Sequence, residues 1–344
     1  MSSNEEEKET FSAEDMTQVM TAVYCVILPS ICIVGIFGNA LTFSVFYREK
    51  KKTSTTVLLL GLALADELCM VGQALFIFLQ IRNLHFKEDL SFLNINTFFL
   101  LRLVFSLESI SKALTVVIVI ERCLAVFRPF YVHRTCSKHI GILLTTSVYF
   151  ITLSSCSVEL FQINPRGNSS NSTYEMAILT TGEDGTFRAW YGVVLHLVYG
   201  ITTVLLIMGF NTAIIVGLRQ MVSATRRFKH WKRGYRWNKQ QKITRMLLTM
   251  SVTYVVCCLP SDVCYVLLIR DKERLIAHEG NFNFRVALLF TYCLAVLNNA
   301  VNFLVYALTV NSMRRKYRET LSCCRFENNN HSSSELFAVI TTRL

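Results

Sequence analysis

Residues 24–46 read YCVILPSICIVGIFGNALTFSVF, an almost unbroken apolar run in which polar residues never recur at helical spacing. A helix of about 20 such residues crosses the hydrocarbon core of a bilayer. A soluble amphipathic helix would show a polar stripe, and none is present here or in LVYGITTVLLIMGFNTAIIVGL, residues 197–218. Working outward, comparable stretches recur at roughly 21–47, 54–81, 93–126, 137–160, 189–219, 243–270 and 284–309. The pattern predicts an all-α membrane protein, a seven-transmembrane helix bundle. Several stretches exceed the bilayer thickness, so tilt or extension beyond it is expected.

Charge predicts the orientation. The connection after the first span reads YREKKKTS, with Arg48, Lys50, Lys51 and Lys52. Residues 219–245 contain Arg219, Arg226, Arg227, Lys229, Lys232, Arg233, Arg236, Lys239, Lys242 and Arg245 and no acid; Arg314, Arg315, Lys316 and Arg318 follow the last span. The amino-terminal tail is acidic, NEEEKE. Lys and Arg are retained on the cytoplasmic side, so the amino terminus is expected outside the plasma membrane and the carboxyl terminus inside. The net charge of +11 thus reads as attraction to anionic lipid and protein partners on one face, with no nucleic acid partner implied. Met1 is not followed by a basic region and apolar core, so the first span is expected to serve as the targeting signal. Asn168 and Asn171 begin glycosylation acceptor motifs in a loop that the charge rule places outside. The twelve cysteines lie mostly within spans or on the inner side and show no zinc spacing and no disulfide framework.

The domain organisation expected is an acidic tail over 1–20, a membrane domain over 21–310, an amphipathic helix over 311–324 and a disordered polar tail over 325–344. NSMRRKYRETLS, residues 311–322, combines basic residues with Tyr317 and Leu321 and suits a helix on the inner leaflet. Cys323 and Cys324 at its end are palmitoylation candidates, with unmodified thiols the alternative. The final Thr342-Arg343-Leu344 fits a PDZ-domain ligand.

Polar groups within the spans carry the functional signal, because each charge near the bilayer centre costs about 2.5–3.5 kcal/mol on insertion scales. Asn39 follows Gly38 in the first span, Asp66 ends LALAD in the second, Glu121-Arg122-Cys123 closes the third, CCLP ends at Pro260 in the sixth, and NFLVY runs from Asn302 to Tyr306 in the seventh. In this order and in these spans, the motifs resemble those of class A, rhodopsin-like G-protein-coupled receptors. ERC stands for the family's acid-Arg-Tyr, CCLP for Cys-Trp-x-Pro and NFLVY for Asn-Pro-x-x-Tyr.

The resemblance implies a receptor that binds an extracellular ligand, a peptide or small zwitterionic cue, and activates heterotrimeric G proteins. It also implies arrestin as a partner. Glu121 would restrain Arg122 until the sixth helix swings outward about the kink at Pro260. Where many relatives carry a restraining acid this chain has neutral Gln240, so a weak inner lock and appreciable basal signalling are expected. Asp66, Ser111, Asn298 and Asn302 resemble the family's sodium pocket, an oxygen-rich set suited to a hard cation; a metal-free hydrogen-bond network is the alternative, and Lys112 beside Ser111 would repel or replace the ion. No other cofactor is implied.

Glu108 and Lys112 stand four apart in the third span in the favourable order for an ion pair, read either as a self-satisfied pair or as a polar switch beneath the ligand. Val104 occupies the position of the amine receptors' Asp, and the seventh span has no Lys for a retinal Schiff base. Arg102, Asp262, Tyr265 and Tyr292, with Glu108 deeper, remain as ligand contacts, or else they hydrogen-bond one another. Departures from the family are Thr97 in place of the usual disulfide cysteine, no Trp in the fourth span, no Pro in the fifth, Asn211 for Tyr, Cys258 for Trp and Phe303 for Pro. They indicate a divergent branch similar to invertebrate neuropeptide or chemosensory receptors. No catalytic triad or nucleotide loop is present, so no enzyme is expected. A seven-helix transporter or channel, or a ligand scavenger that does not signal, are the rival readings; the former would need a continuous polar path.

Overall fold

A computed structural model describes the backbone at residues 13–85, 90–128, 137–161, 183–227, 234–270, 282–309 and 311–322. Side chains are described at 15–82, 97, 99–128, 137–158, 190–220, 245–267, 284–309 and 311–322. Asn168, Asn171, Cys323, Cys324 and Thr342–Leu344 therefore lie outside the described residues, as does the side chain of Gln240, whose backbone is helical. Among the described residues there is no strand.

Seven helices are long and apolar enough to cross a bilayer: Asp15–Tyr47, Ser54–Arg82, Phe99–Phe127, Lys138–Val158, Trp190–Gln220, Arg245–Leu267 and Phe284–Thr309, referred to below as the first to seventh helices. This is a multi-pass membrane protein. The second helix packs most extensively against the third and first, and the seventh against the sixth and first. Large apolar side chains such as Ile33, Phe37, Phe78, Phe150, Leu205 and Leu308 point outward, where acyl chains would solvate them. The helices are therefore held together by shape and by internal polar bonds rather than by escape from water.

Two helices widen into π turns, and each has a local cause. Val23–Ile27 precedes Pro29, whose missing N–H interrupts the helical ladder. Leu197–Thr202 in the fifth helix needs no Pro, because the Thr203 hydroxyl donates to the carbonyl of Val198, five residues back, at 3.1 Å. The fourth helix, which lacks Trp, is tied to the second through the Tyr149 hydroxyl, which donates to the Gly61 carbonyl at 2.8 Å.

After the seventh helix, 311–322 form a further helix. Its Met313, Tyr317 and Thr320 are buried, while Arg314, Arg315, Arg318 and Leu321 are exposed. Tyr317 thus faces the bundle rather than the leaflet: its hydroxyl lies 3.0 Å from that of Thr42, and burial pushes its phenol up to about 12. Lys316 pairs with Glu49 at 3.0 Å, and the Arg314 Nε donates to the Ala307 carbonyl at 3.1 Å.

Phe303 is accommodated by the first helix. Any Cβ at Gly38 would overlap its ring, so only glycine lets the two helices meet this closely. Gly38→Ala is expected to cost about 1–3 kcal/mol by overpacking. Combined with Phe303→Leu it should destabilise by at least about 1 kcal/mol less than the sum of the two single changes. Thermal unfolding in detergent measures this, and simple additivity would show that the contact is not the cause.

Candidate functional site

Polar clusters occupy three levels of the bundle, and the third helix contributes to each. At the end carrying Arg122, the second helix begins with a hydroxyl run, Thr53-Ser54-Thr55-Thr56. Thr53 caps it, its Oγ1 accepting from the Thr56 backbone N–H at 3.3 Å. Thr55 turns inward instead. Its hydroxyl donates to Glu121 Oε1 at 2.8 Å and accepts from the Arg122 guanidinium, and Arg122 Nη2 lies 3.5 Å from Glu121 Oε1. A hydroxyl can do both because it carries one proton and two lone pairs. Glu121 and Arg122 are both buried. Sequence reasoning missed Thr55, since a Thr run at a helix start reads as capping.

At mid-depth, Asp66 is fully buried. Ser111 Oγ donates to its Oδ1 at 2.6 Å, and Asn302 Nδ2 donates to its Oδ2 at 2.6 Å, joining the second, third and seventh helices. Asn298 takes a different partner: its amide donates to Asn299 Oδ1 at 3.4 Å. Asn299 in turn donates to Cys69 Sγ at 3.4 Å and accepts from Asn39 Nδ2 at its backbone carbonyl, at 2.9 Å. Tyr306 is buried below this level, edge-on to Phe46 with ring centroids 5.8 Å apart. The carboxylate, hydroxyl and amide are the residue types a hard cation takes, but both Asp66 oxygens already accept hydrogen bonds. Holding a cation would require Asn302 to turn its amide oxygen inward. Among the described residues no three of His, Cys, Asp and Glu are grouped around a common point.

The third cluster lies toward the opposite end. Lys112 Nζ is 2.8 Å from Glu108 Oε1 and 3.8 Å from Asp262 Oδ1. The pair foreseen within the third helix therefore has a third member, on the sixth helix two residues past Pro260, and Asp262 is buried rather than near the outer surface. The fifth helix reaches this cluster through Gly200 of the π turn, where a Cβ would lie 2.8 Å from Asp262 Oδ1. One turn away His196 stacks on Tyr265, centroids 3.5 Å apart, and meets Phe105 in a tilted pair at 4.6 Å. His196 was not foreseen; a lone His in an apolar stretch gives no direction from sequence. Tyr292 donates to Gln73 Oε1 at 2.6 Å, so it ties the seventh helix to the second, apart from Tyr265. Arg102 is half-buried on the third helix beyond these groups, its carbonyl accepting from Ser106 at 2.8 Å. Cys25, Cys32, Cys69, Cys123, Cys257, Cys258, Cys264 and Cys293 are free thiols, and Thr97 stands in the helical turn that leads into the third helix.

The model of the 7 transmembrane receptor (rhodopsin family) matches residues 38–306, from Gly38 to Tyr306. The chain belongs to that family. The receptor is 26% identical to the somatostatin receptor type 2 of Mus musculus, over 89% of this chain and 78% of that one. It is 26% identical to the FMRFamide peptide receptor frpr-18 of Caenorhabditis elegans, over 87% of this chain and 69% of the relative. To the chemerin-like receptor 1 of Bos taurus it is 26% identical, over 84% and 76%. The protein is a signalling receptor and not an enzyme.

Removing the Thr55 hydroxyl tests whether its bonds to Glu121 and Arg122 restrain the receptor. Thr55→Ala is expected to favour the active state by about 1 kcal/mol, raising G-protein turnover without ligand roughly fivefold. Nucleotide exchange in membranes matched for receptor number measures it; turnover at or below that of the unmodified receptor would deny Thr55 a restraining role.

Proposed function

We propose that the receptor sits in the plasma membrane with its amino terminus outside, binds an extracellular peptide, and activates heterotrimeric G proteins when the sixth helix moves outward. The observation that carries this reading is the Lys112–Asp262 ion pair, which ties the sixth helix to the third just beyond the Pro260 break. A ligand that binds better to the state in which this tie is broken shifts the population toward that state. Displacement of the sixth helix then opens the end where Arg122, Glu121 and Thr55 meet.

Peptide recognition is supported by the relatives named for somatostatin and FMRFamide. The orientation is supported by the basic residues at the Arg122 end, Arg48 and Lys50–Lys52 beside exposed Arg314, Arg315 and Arg318. Anionic lipid at that face, arrestin on the active state, and a PDZ protein at Thr342–Leu344 are further proposed partners. Neutral Gln240, at the base of the sixth helix, supports a weak inner lock and appreciable basal signalling. Glycosylation at Asn168 and Asn171 and palmitoylation at Cys323 and Cys324 belong to the same reading.

Two experiments test it. Amidated peptide pools applied to cells with a promiscuous G-protein reporter should yield agonists. Lys112→Met, which cuts the tie between the helices, should raise unliganded turnover several-fold. Ligand-evoked current without nucleotide exchange would instead indicate a channel, and uptake without exchange a scavenger. For sodium, we propose Asp66, Ser111, Asn298 and Asn302 as the site. Replacing sodium with choline should raise agonist affinity, and Asp66→Asn should abolish the difference; equal affinity in the two salts would leave Asp66 a purely hydrogen-bonded group.

A further inference from the structure

The cluster of Glu108, Lys112 and Asp262 does not balance its own charge. Two carboxylates face one ammonium, and the ammonium lies closer to one of them, at 2.8 Å from Glu108 Oε1 against 3.8 Å from Asp262 Oδ1. The first is a hydrogen bond and the second is too long to be one. Asp262 Oδ2 is buried and accepts no hydrogen bond, although the side chain is only 7% exposed. An incompletely paired carboxylate inside a membrane protein is strongly destabilising, so a further positive charge would find a prepared partner here.

The surroundings select the kind of charge. Each element carrying the cluster places an aromatic ring about one turn away, on the side toward Arg102: Phe105 before Glu108, Tyr265 after Asp262 and His196 before Gly200. The rings touch through His196, which meets Phe105 in a tilted pair at 4.6 Å and stacks on Tyr265 at 3.5 Å. Aromatic faces attract ammonium and guanidinium groups but supply no oxygen ligands for a metal ion. Gly200 packs its backbone directly against the carboxylate from the fifth-helix side; any larger residue would press on it.

We infer that Asp262 anchors a cationic group of the ligand, an amine or guanidinium, which binds Oδ2 beneath the rings of Phe105, His196 and Tyr265 and replaces Lys112 as the carboxylate's partner. Lys112 stays with Glu108, so the exchange passes the sixth helix's tie from the third helix to the ligand. This rests on the receptor reading above and adds the chemical class that the site takes.

A proton on Asp262 would also neutralise the cluster, and a fragment pair separates the two. Benzylguanidinium carries the charge beside an aromatic ring, whereas N-benzylurea has nearly the same shape and none. Added at millimolar concentration to purified full-length receptor, the guanidinium should raise the thermal unfolding midpoint by about 2 °C or more, and the urea should not. Asp262→Asn should abolish the shift, and Lys112→Met, by removing the internal competitor, should enlarge it. Equal shifts from both probes, no shift from either, or a guanidinium shift that persists in Asp262→Asn would overturn the proposal. Should Asp262→Asn fold poorly, Gly200→Ala keeps every charge while crowding the carboxylate; the shift should vanish, and an undiminished shift would overturn the proposal equally. None of these measurements involves a G protein, so their failure and the failure of G-protein coupling are separately visible.

Discussion

Asp66 carries a carboxylate in the middle of a bundle whose surroundings are hydrocarbon, and it is accommodated because both its oxygens accept short hydrogen bonds. Ser111 supplies one and Asn302 the other, so a single side chain fixes the depth and rotation of three helices against one another. Between lipid-bathed helices no hydrophobic force draws apolar faces together, and such internal bonds, with close packing, must set the register. Asn39 and Asn299 extend the same logic to the first helix.

The third helix is the common member of every polar level. Glu108 and Lys112 reach the sixth helix, Ser111 the second and, through Asp66, the seventh, and Glu121 with Arg122 meets the start of the second. A change at one level therefore moves an element that the other levels share. The connection is physical: ion pairs and hydrogen bonds join the third helix to the sixth at one level and to the second at the others.

Departures from the family pattern are met by local substitutes. Thr203 closes a π turn in a fifth helix that has no Pro, and Tyr149 bonds the second helix from a fourth helix that has no Trp. Phe303, in place of a Pro, fits because Gly38 opposite has no side chain. In each case one polar bond or one missing Cβ restores a packing relation, which is how so divergent a sequence keeps the seven-helix arrangement.

The amino-acid sequence alone determined the seven spans, the family and the polar positions worth inspecting, because hydrocarbon permits a helix only a long apolar run and makes each internal charge conspicuous. The Glu108–Lys112 pair was legible for the same kind of reason: residues four apart on a helix are neighbours whatever surrounds them. Partners drawn from different helices were not legible. That Asp262 faces Lys112, that Thr55 bonds Arg122, that Asn298 bonds its neighbour while Asn302 takes Asp66, and that His196 meets both Phe105 and Tyr265 were decided only by the tertiary structure. Those contacts depend on how each helix is rotated about its axis, and in a span that is apolar all round the sequence carries almost no record of that rotation.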